Sequence, residues 1–340
     1  MASEQLLVRN RGQYRGTNTR HLSAKEVGRF NDLNPEEPMT VWSVDSGDDI
    51  PELCRIPQLE VPTQLPLSLR TEAPSQPSLG SSSVDKILQW AEAVNYSMSE
   101  VDIVVGRSLI KKLCQTPYNR KQGWKVKLYK YSNTLLLESD DEPYIDDRYG
   151  KWGKVFEDVM RTGGRRTPGY ACEDVDIRMT RLVQLGPLKL LTNSSIGSQL
   201  PGGHQDVLEN YVEIKTAPIS ETEDDQRVKC EKYKTRHIWA HCAPLGIDTV
   251  YIGRRTEEGD LKEIQKFTMK ALEKVGRNEW YPVCMLSFLK ELLCWVQYKT
   301  SNGMTYSLTY DGQVMNDPVR LVPGEQDDLV RIVRANFPEE

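Results

Sequence analysis

Five segments of the chain alternate apolar and polar residues, and this period-two pattern is the feature that most constrains the fold. Successive side chains of a β-strand point to opposite faces, so a strand with one buried face shows this alternation. The segments are KVKLYKY (125–131), IRMTRLV (177–183), NYVEIKT (210–216), TVYIGRR (249–255) and MTYSLTY (304–310). Helical patterns lie between several of them. The sequence therefore predicts a mixed α/β (α+β) fold.

A stretch rich in proline and serine, PTQLPLSLRTEAPSQPSLGSSS, runs from residue 62 to residue 83. Such a composition lacks the apolar side chains that ordering requires, and it is typical of a linker. Apolar residues then recur at helical spacing, so we expect a capped amphipathic helix to begin at Ser83. The predicted organisation is an N-terminal arm and linker over residues 1–83, followed by one domain over residues 84–340.

The cysteines and the hydropathy of the chain indicate its cellular environment. The 7 cysteines are isolated from one another, and this odd number without a C-x-x-C pair predicts buried thiols in a reducing compartment. The N-terminus has no apolar h-region, and nowhere do about 18 apolar residues follow one another, so we expect neither secretion nor a membrane span. A nuclear or cytoplasmic location is the resulting expectation.

A net charge of −5 gives the chain no overall attraction for nucleic acid, so a local basic surface would have to make any RNA contact. The segment RVKCEKYKTRHIWAHC, residues 227–242, is the candidate for that surface, because its lysines and arginines surround His237 and His241. Two histidines spaced four apart can bind zinc, but the H-E-x-x-H pattern is missing. We therefore interpret this pair as structural.

The segment Glu213-Ile214-Lys215 lies inside the third predicted strand, where Glu213 and Lys215 share one face. An acid and a base that point together from a buried strand suit a metal-dependent nuclease, because the carboxylate can hold a metal and the ammonium can polarise water or phosphate. The alternative is an ion pair on an exposed strand face. No P-loop, Rossmann glycine pattern or G-x-S-x-G elbow offers a competing scaffold.

A second acid, Glu157, lies on a predicted amphipathic helix with Gly153 one turn before it. The glycine leaves open space above the carboxylate, which suits a ligand or a metal ion. The alternative is an ordinary surface glutamate.

Several short motifs follow one another in a fixed order along the chain. They are Arg107, Thr116-Pro117-Tyr118, Gly123-Trp124, W-G-x-x-F-E (152–157), Y-V-E-I-K-T (211–216), Trp239-Ala240-His241, Leu245-Gly246-Ile247 and W-Y-P-V-C (280–284). This series resembles the DXO family of RNA 5′-end decapping and exonuclease proteins over residues 101–298. The resemblance implies a two-sheet core related to the PD-(D/E)xK nucleases, with a pocket for the RNA 5′ end. It also implies Mg²⁺ or Mn²⁺ bound by four acids.

The resemblance assigns roles to five residues that match the family motifs. Arg107 would contact an RNA phosphate. Glu157, Glu213 and the carbonyl of Ile214 would bind the metal. Lys215 would orient or activate the attacking water and contact the substrate.

The chain departs from the family pattern at two places. The family has an acid-apolar-acid motif before E-x-K, where this chain has Ser195 and Gly197, so two metal ligands are expected to be missing and metal affinity to be weakened. Asp174 and Asp176 are an alternative source of these acids. His241 stands where the family has a glutamine that meets substrate phosphate, and histidine can still donate a hydrogen bond there.

These observations leave three functional classes open. The first is a metal-dependent hydrolase that acts on RNA 5′ ends with incomplete or nucleotide-type caps or a 5′-triphosphate, with reduced activity. The second is a catalytically inactive protein that binds or protects RNA 5′ ends. The third is an adaptor whose acidic arm and loops bind a protein partner. The surviving acids and lysine favour the enzyme, and the two missing acids favour the binding protein.

Overall fold

A computed structural model describes most of the chain. The described residues are 4–7, 31–32, 40–44, 57–70, 82–119, 122–140, 148–162, 176–203, 207–219, 222, 224, 232–312, 318–325 and 328–336. Asp174 lies outside them, and of Asp176 only the backbone is described. Residues 227–231 of the predicted basic segment also lie outside.

Strands and helices are interleaved along the described chain, as the sequence predicts. The strands are β1 (Glu4–Leu7), β2 (Asn31–Asp32), β3 (Thr40–Val44), β4 (Leu67–Ser68), β5 (Ile103–Val105), β6 (Trp124–Tyr131), β7 (Thr134–Ser139), β8 (Asp176–Leu185), β9 (Leu188–Ser195), β10 (Ser198–Gln199), β11 (Tyr211–Pro218), β12 (Thr249–Arg255), β13 (Asp260–Thr268), β14 (Thr305–Tyr310) and β15 (Pro318–Pro323). The helices are α1 (Ser83–Ala93), α2 (Arg107–Cys114), α3 (Arg148–Thr162), α4 (Thr235–Cys242), α5 (Met269–Gly276), α6 (Pro282–Lys299) and α7 (Asp328–Asn336).

The strands form two sheets, which confirms the predicted mixed α/β core. Within the described residues, the larger sheet has 10 strands in the order β1-β15-β14-β6-β7-β5-β9-β8-β2, and β3 also pairs with β8. The smaller sheet has 5 described strands in the order β10-β11-β12-β13-β4. All five predicted strands are confirmed, and they correspond to β6, β8, β11, β12 and β14.

Helices cover both faces of the larger sheet. The alternation along β7 shows this, because Leu135 and Leu137 pack with α2 and α6, whereas Leu136 packs with α1 and α7. In the smaller sheet, Val212 and Ile214 of β11 pack with α3. The odd-numbered residues of β11 face the opposite side, where α4 lies. The two acids predicted for the site therefore approach from different elements, one from α3 and one from the opposite face of β11.

Part of the predicted arm and linker contributes strands to the two sheets. β1 pairs with β15 and β3 pairs with β8, while β4 pairs with β13. The linker prediction is wrong for residues 67–69, because the alternation of Leu67 and Leu69 extends the smaller sheet and buries Leu69 completely. The first domain helix begins at Ser83, and Ser82 caps it by accepting a hydrogen bond from the Asp85 amide at 3.1 Å. The boundary at residue 84 stays a prediction.

Among the described residues, no helix combines the length and the hydropathy that crossing a bilayer requires. Four cysteines within the described stretches are free thiols, and Cys114, Cys242 and Cys284 are buried.

The position of α3 depends on the aromatic ring of Phe156. This side chain is fully buried, and a Cβ atom added to Gly253 of β12 would lie 2.7 Å from its ring. We expect Phe156→Ala to lower the free energy of unfolding by about 3–5 kcal/mol, because truncation leaves a cavity between α3 and the smaller sheet. Urea unfolding would measure this loss, with the exposed Lys154→Ala on the same helix as the matched control. Equal stability of the two variants would contradict this account of how α3 is held.

Candidate functional site

A buried carboxylate, that of Glu213, lies at the centre of the candidate site. It projects from β11 toward α2 and α4, with only 3% of its side chain exposed. The Arg107 guanidinium donates to Oε2 at 2.9 Å, and the Lys215 ammonium donates to Oε1 at 2.5 Å. Each oxygen of the carboxylate therefore has its own cationic partner. Because a buried charge without partners is costly, these two contacts stabilise the ionised carboxylate.

The sequence places these three side chains through two local rules. Glu213 and Lys215 share a strand face because they are two residues apart in β11. Arg107 is the first residue of α2, directly after β5 and the N-cap residue Gly106. A side chain at Gly106 would collide with Ser83 of α1, because an added Cβ would lie 2.6 Å from the serine Cβ. This close approach lets α1 and α2 begin side by side.

The second acid, Glu157, reaches the same cleft from α3. Its Oε1 lies 4.0 Å from Lys215 Nζ, and 30% of its side chain is exposed. Nothing lies within 4 Å of the position that a side chain at Gly153 would occupy, which matches the open space expected one turn before the acid. The structure therefore brings Glu157, Glu213, Lys215 and Arg107 together. Their functional roles stay predictions.

The electrostatics of the cleft keep Glu213 and Lys215 charged. Burial would raise the pKa of Glu213, but the Lys215 and Arg107 charges outweigh burial and hold that pKa well below its usual range. Burial would lower the pKa of Lys215, but the two carboxylates raise it above the ordinary lysine value. The pKa of Glu157 is raised, first by burial and then, against the effect of Lys215, by the charge of Glu213. Of the two acids, Glu157 is therefore the easier one to protonate.

His241 extends the cleft from the last turn of α4, with Nε2 3.5 Å from Glu213 Oε2. Burial, together with the Arg107 and Lys215 charges, lowers its pKa to about 3, so the imidazole is neutral at physiological pH. Neither ring nitrogen has a hydrogen-bond partner within the described part of the chain. A neutral ring has one N–H and one acceptor nitrogen, and Nε2 faces the Glu213 carboxylate at the edge of hydrogen-bond distance.

Ile214 lies between Glu213 and Lys215, and its side chain points to the α3 side of the sheet. Its backbone belongs to the parallel pairing of β11 with β12, opposite Tyr251. The role of its carbonyl as a metal ligand stays a prediction.

Comparison with known proteins identifies the family. The sequence model of the RAI1-like PD-(D/E)XK nucleases matches residues 49–160 and 183–337. The chain belongs to this family. The resemblance indicated by the ordered motifs is thereby confirmed.

Several relatives of this RAI1-like chain are named as decapping and exoribonuclease proteins. The decapping and exoribonuclease protein of Xenopus laevis is 22% identical over 211 residues, which are 56% of this chain and 52% of the relative. The match thus spans about half the length of that relative.

Solved structures share the fold at low sequence identity. S. pombe Rai1 in complex with 3′-FADP superposes with a TM-score of 0.72 and 19% identity, covering 95% of this chain and 100% of that one. Candida albicans Rai1 in complex with pU5 and Mn²⁺ has a TM-score of 0.60 and 18% identity, and the match covers 74% of this chain and 76% of that one.

The segment from Ser195 to Gly197, for which the resemblance predicts two missing acids, binds arginines through its backbone. Arg107 donates to the carbonyl of Ser195 at 3.0 Å, and Arg161 donates to the carbonyl of Gly197 at 2.9 and 2.7 Å. Ser195 is exposed, and a Cβ atom added at Gly197 would lie 3.0 Å from the Val212 carbonyl oxygen. Backbone carbonyls of this segment therefore hold two guanidinium groups beside the cleft.

The described residues do not fit a pair of hard divalent cations. Such ions need several oxygen ligands with negative charge. Here both oxygens of Glu213 already bind cationic side chains, and within the described stretches no group of three His, Cys, Asp or Glu side chains could hold a metal ion. Manganese in the Candida albicans structure shows divalent metal use by a relative. In this RAI1-like chain, the surroundings of Glu213 favour anions over cations.

Sequence reasoning missed two cations of the cleft, Arg161 and Lys111. Arg161 follows Glu157 by four residues on α3, so the helical spacing could have placed both on one face. Lys111 follows Arg107 by one turn of α2 in the same way. Burial, followed by the Lys215 and Arg107 charges, lowers the pKa of Lys111 to about 8. Lys111 therefore remains mostly protonated at pH 7.

The cationic surroundings of Glu213 predict an unusual response to its neutralisation. We expect Glu213→Gln to lower the free energy of unfolding by about 3–5 kcal/mol, because buried cations lose their counter-ion. Inorganic phosphate should recover more stability in this variant than in the wild type, because a bound anion replaces the missing charge. Thermal unfolding with and without phosphate would measure both effects, and Glu325→Gln, an exposed site, is the matched control. A phosphate effect no larger than that of the control would contradict anion binding beside Glu213.

Proposed function

We propose that this RAI1-like chain binds phosphorylated or nucleotide-capped RNA 5′ ends in the Glu213 cleft, in the nucleus or cytoplasm. Hydrolysis there is weakened by the incomplete set of acidic ligands. The observation that carries this proposal is the buried carboxylate of Glu213, which holds Arg107 and Lys215 in fixed positions. The names of the relatives and the RNA oligomer bound by Candida albicans Rai1 support RNA 5′ ends as the ligand class.

The charge balance of the cleft supports a bound phosphate. Four cationic side chains surround two carboxylates, which leaves the cleft with a surplus of positive charge at pH 7. The cations are Arg107, Lys111, Arg161 and Lys215, and the carboxylates are those of Glu157 and Glu213. A partly desolvated cleft with this surplus attracts a phosphate even though the whole chain carries −5.

Each residue of the cleft contributes differently to such binding. The Arg107 guanidinium has donors beyond those that Glu213 and Ser195 accept, because its Nε has no hydrogen-bond partner among the described residues. Lys215 supplies a compact positive charge, and its ammonium also has three hydrogen-bond donors. The neutral His241 ring can donate one further hydrogen bond to a phosphate oxygen. Binding and orientation of a 5′ phosphate by these groups require no metal ion.

A full hydrolase is the second candidate, and the pairing of β8 with β9 favours it. Arg178 of β8 pairs with Ser195, so Asp176, two residues earlier, begins β8 at the same end of the larger sheet. A carboxylate entering the cleft from there would replace one of the two missing acids. Mutation of Asp176 separates this candidate from the first.

Loss of the cleft arginine gives the first test. We expect Arg107→Ala to weaken binding of 5′-phosphorylated RNA at least ten-fold. The salt slope, which is the slope of log affinity against log salt concentration, should become shallower by about 0.7 for each phosphate that the variant no longer neutralises. Fluorescence anisotropy across a salt series would measure both, with the exposed Arg331→Ala on α7 as the matched control. Circular dichroism of the variant would verify folding. An unchanged affinity and salt slope would remove Arg107 from the site.

Restoration of the missing acids tests the reduced hydrolysis. We expect weak Mn²⁺-dependent cleavage of 5′-triphosphate, NAD-capped and unmethylated-cap RNAs by the wild type. Ser195→Glu together with Gly197→Asp should increase it, because each adds an oxygen ligand. The added side chain at residue 197 needs a few tenths of an ångström of movement by β11, so Ser195→Glu alone is the matched variant. Strong wild-type cleavage that Asp176→Asn abolishes would instead establish the full hydrolase.

A further inference from the structure

A row of basic side chains leads away from the Glu213 cleft along the contact between α2 and α4. At the cleft end, Arg107 and His241 both approach Glu213 Oε2, at 2.9 and 3.5 Å. One helical turn further along each helix, Lys111 Nζ lies 3.5 Å from His237 Nε2. The two helices therefore run antiparallel and pair their basic residues turn by turn, at a rise of about 5.4 Å per turn.

The row ends at Arg236, a buried arginine with an unusual set of partners. Its guanidinium donates to the side-chain oxygens of Asn119 at 2.5 Å and Gln115 at 3.4 Å. The rings of Tyr118 and Tyr233 lie 5.2 and 5.5 Å from the guanidinium carbon. Among the residues that the structure describes, no carboxylate lies within ion-pair distance of Arg236, although only 2% of the residue is exposed. A buried cation without an anionic partner is costly, so the site has unused capacity for an anion.

A cavity of about 370 Å³ opens beside this arginine. It is lined by Gln115, Asn119, Gln122, Tyr233, Lys234, Arg236 and His237. The Tyr233 side chain is 48% exposed, so one part of its ring remains available to a ligand. Cations for a phosphate, amides for the edge of a base and an accessible aromatic ring for stacking are the elements with which proteins hold single-stranded nucleic acid.

We propose that this cavity is a second nucleotide subsite, which binds a phosphate and a base linked to the phosphate at Arg107. Lys111 and His237 form the connection between the two positions, and Tyr233 stacks on the base. This inference rests on the proposed function, because the first phosphate must occupy the Glu213 cleft. The nucleotide in this second subsite is either the next nucleotide of the RNA or the nucleotide of a cap, since both present a phosphate and a base.

The test compares ligands of different length on the full chain. Uridine 5′-monophosphate occupies only the cleft, whereas the dinucleotide pUpU and NAD each add a second nucleotide, as an RNA continuation and a cap nucleotide respectively. We expect Tyr233→Leu and Arg236→Gln to leave monophosphate binding within about two-fold of wild type and to weaken at least one longer ligand by about ten-fold or more. Tyr298→Leu, which removes a tyrosine that is 83% exposed on α6, is the matched control.

The pattern of losses identifies the ligand. A loss confined to pUpU assigns the subsite to the RNA body, a loss confined to NAD assigns it to the cap, and a loss of both shows that it accepts either. Because Tyr233 is exposed, its variant keeps the test valid even if Arg236→Gln does not fold. Wild-type affinity of Tyr233→Leu for all three ligands, with Arg107→Ala still defective, would overturn the subsite and leave the proposed function standing. Failure of the wild type to bind any of them would overturn both.

Discussion

The shared carboxylate of Glu213 is the interaction on which the candidate site depends. It neutralises two cations in a place where each alone would be costly to bury, and it fixes their positions without a ligand. Arg107 also donates to the Ser195 carbonyl, so one side chain connects β9 of the larger sheet with β11 of the smaller one. The same contacts therefore hold the two sheets together at the cleft and arrange its charges in advance of binding.

The backbone of the segment from Ser195 to Gly197 belongs to the same network. The carbonyls of Ser195 and Gly197 accept from Arg107 and Arg161. Guanidinium groups bound at these carbonyls favour a phosphate and disfavour a divalent cation, because they bring positive charge to the cleft. Glu157 then serves as a partner of Lys215 at 4.0 Å.

The positive charge of the Glu213 cleft continues beyond the cleft on one side. Lys111 on α2 and Arg236 on α4 extend the positive charge of the cleft, with the neutral His237 between them, on a chain of net charge −5. The low pKa of His241, about 3, and the pKa of Lys111, about 8, both result first from burial and then from neighbouring cations. The neighbouring cations add to the effect of burial in both shifts, and the proposed RNA ligand would reduce the repulsion among these cations.

The sequence by itself determined the strands, because alternation at a period of two requires only local side-chain geometry. It also determined that Glu213 and Lys215 share a face, and the ordered motifs identified the family. The linker prediction failed at Leu69, since its burial depends on a distant strand, β13. Only the tertiary structure decided that Arg107 meets Glu213 and that Arg161 meets the Gly197 carbonyl. Arg107 and Glu213 are 106 positions apart, and no local pattern reports an interaction made by packing two sheets and their helices.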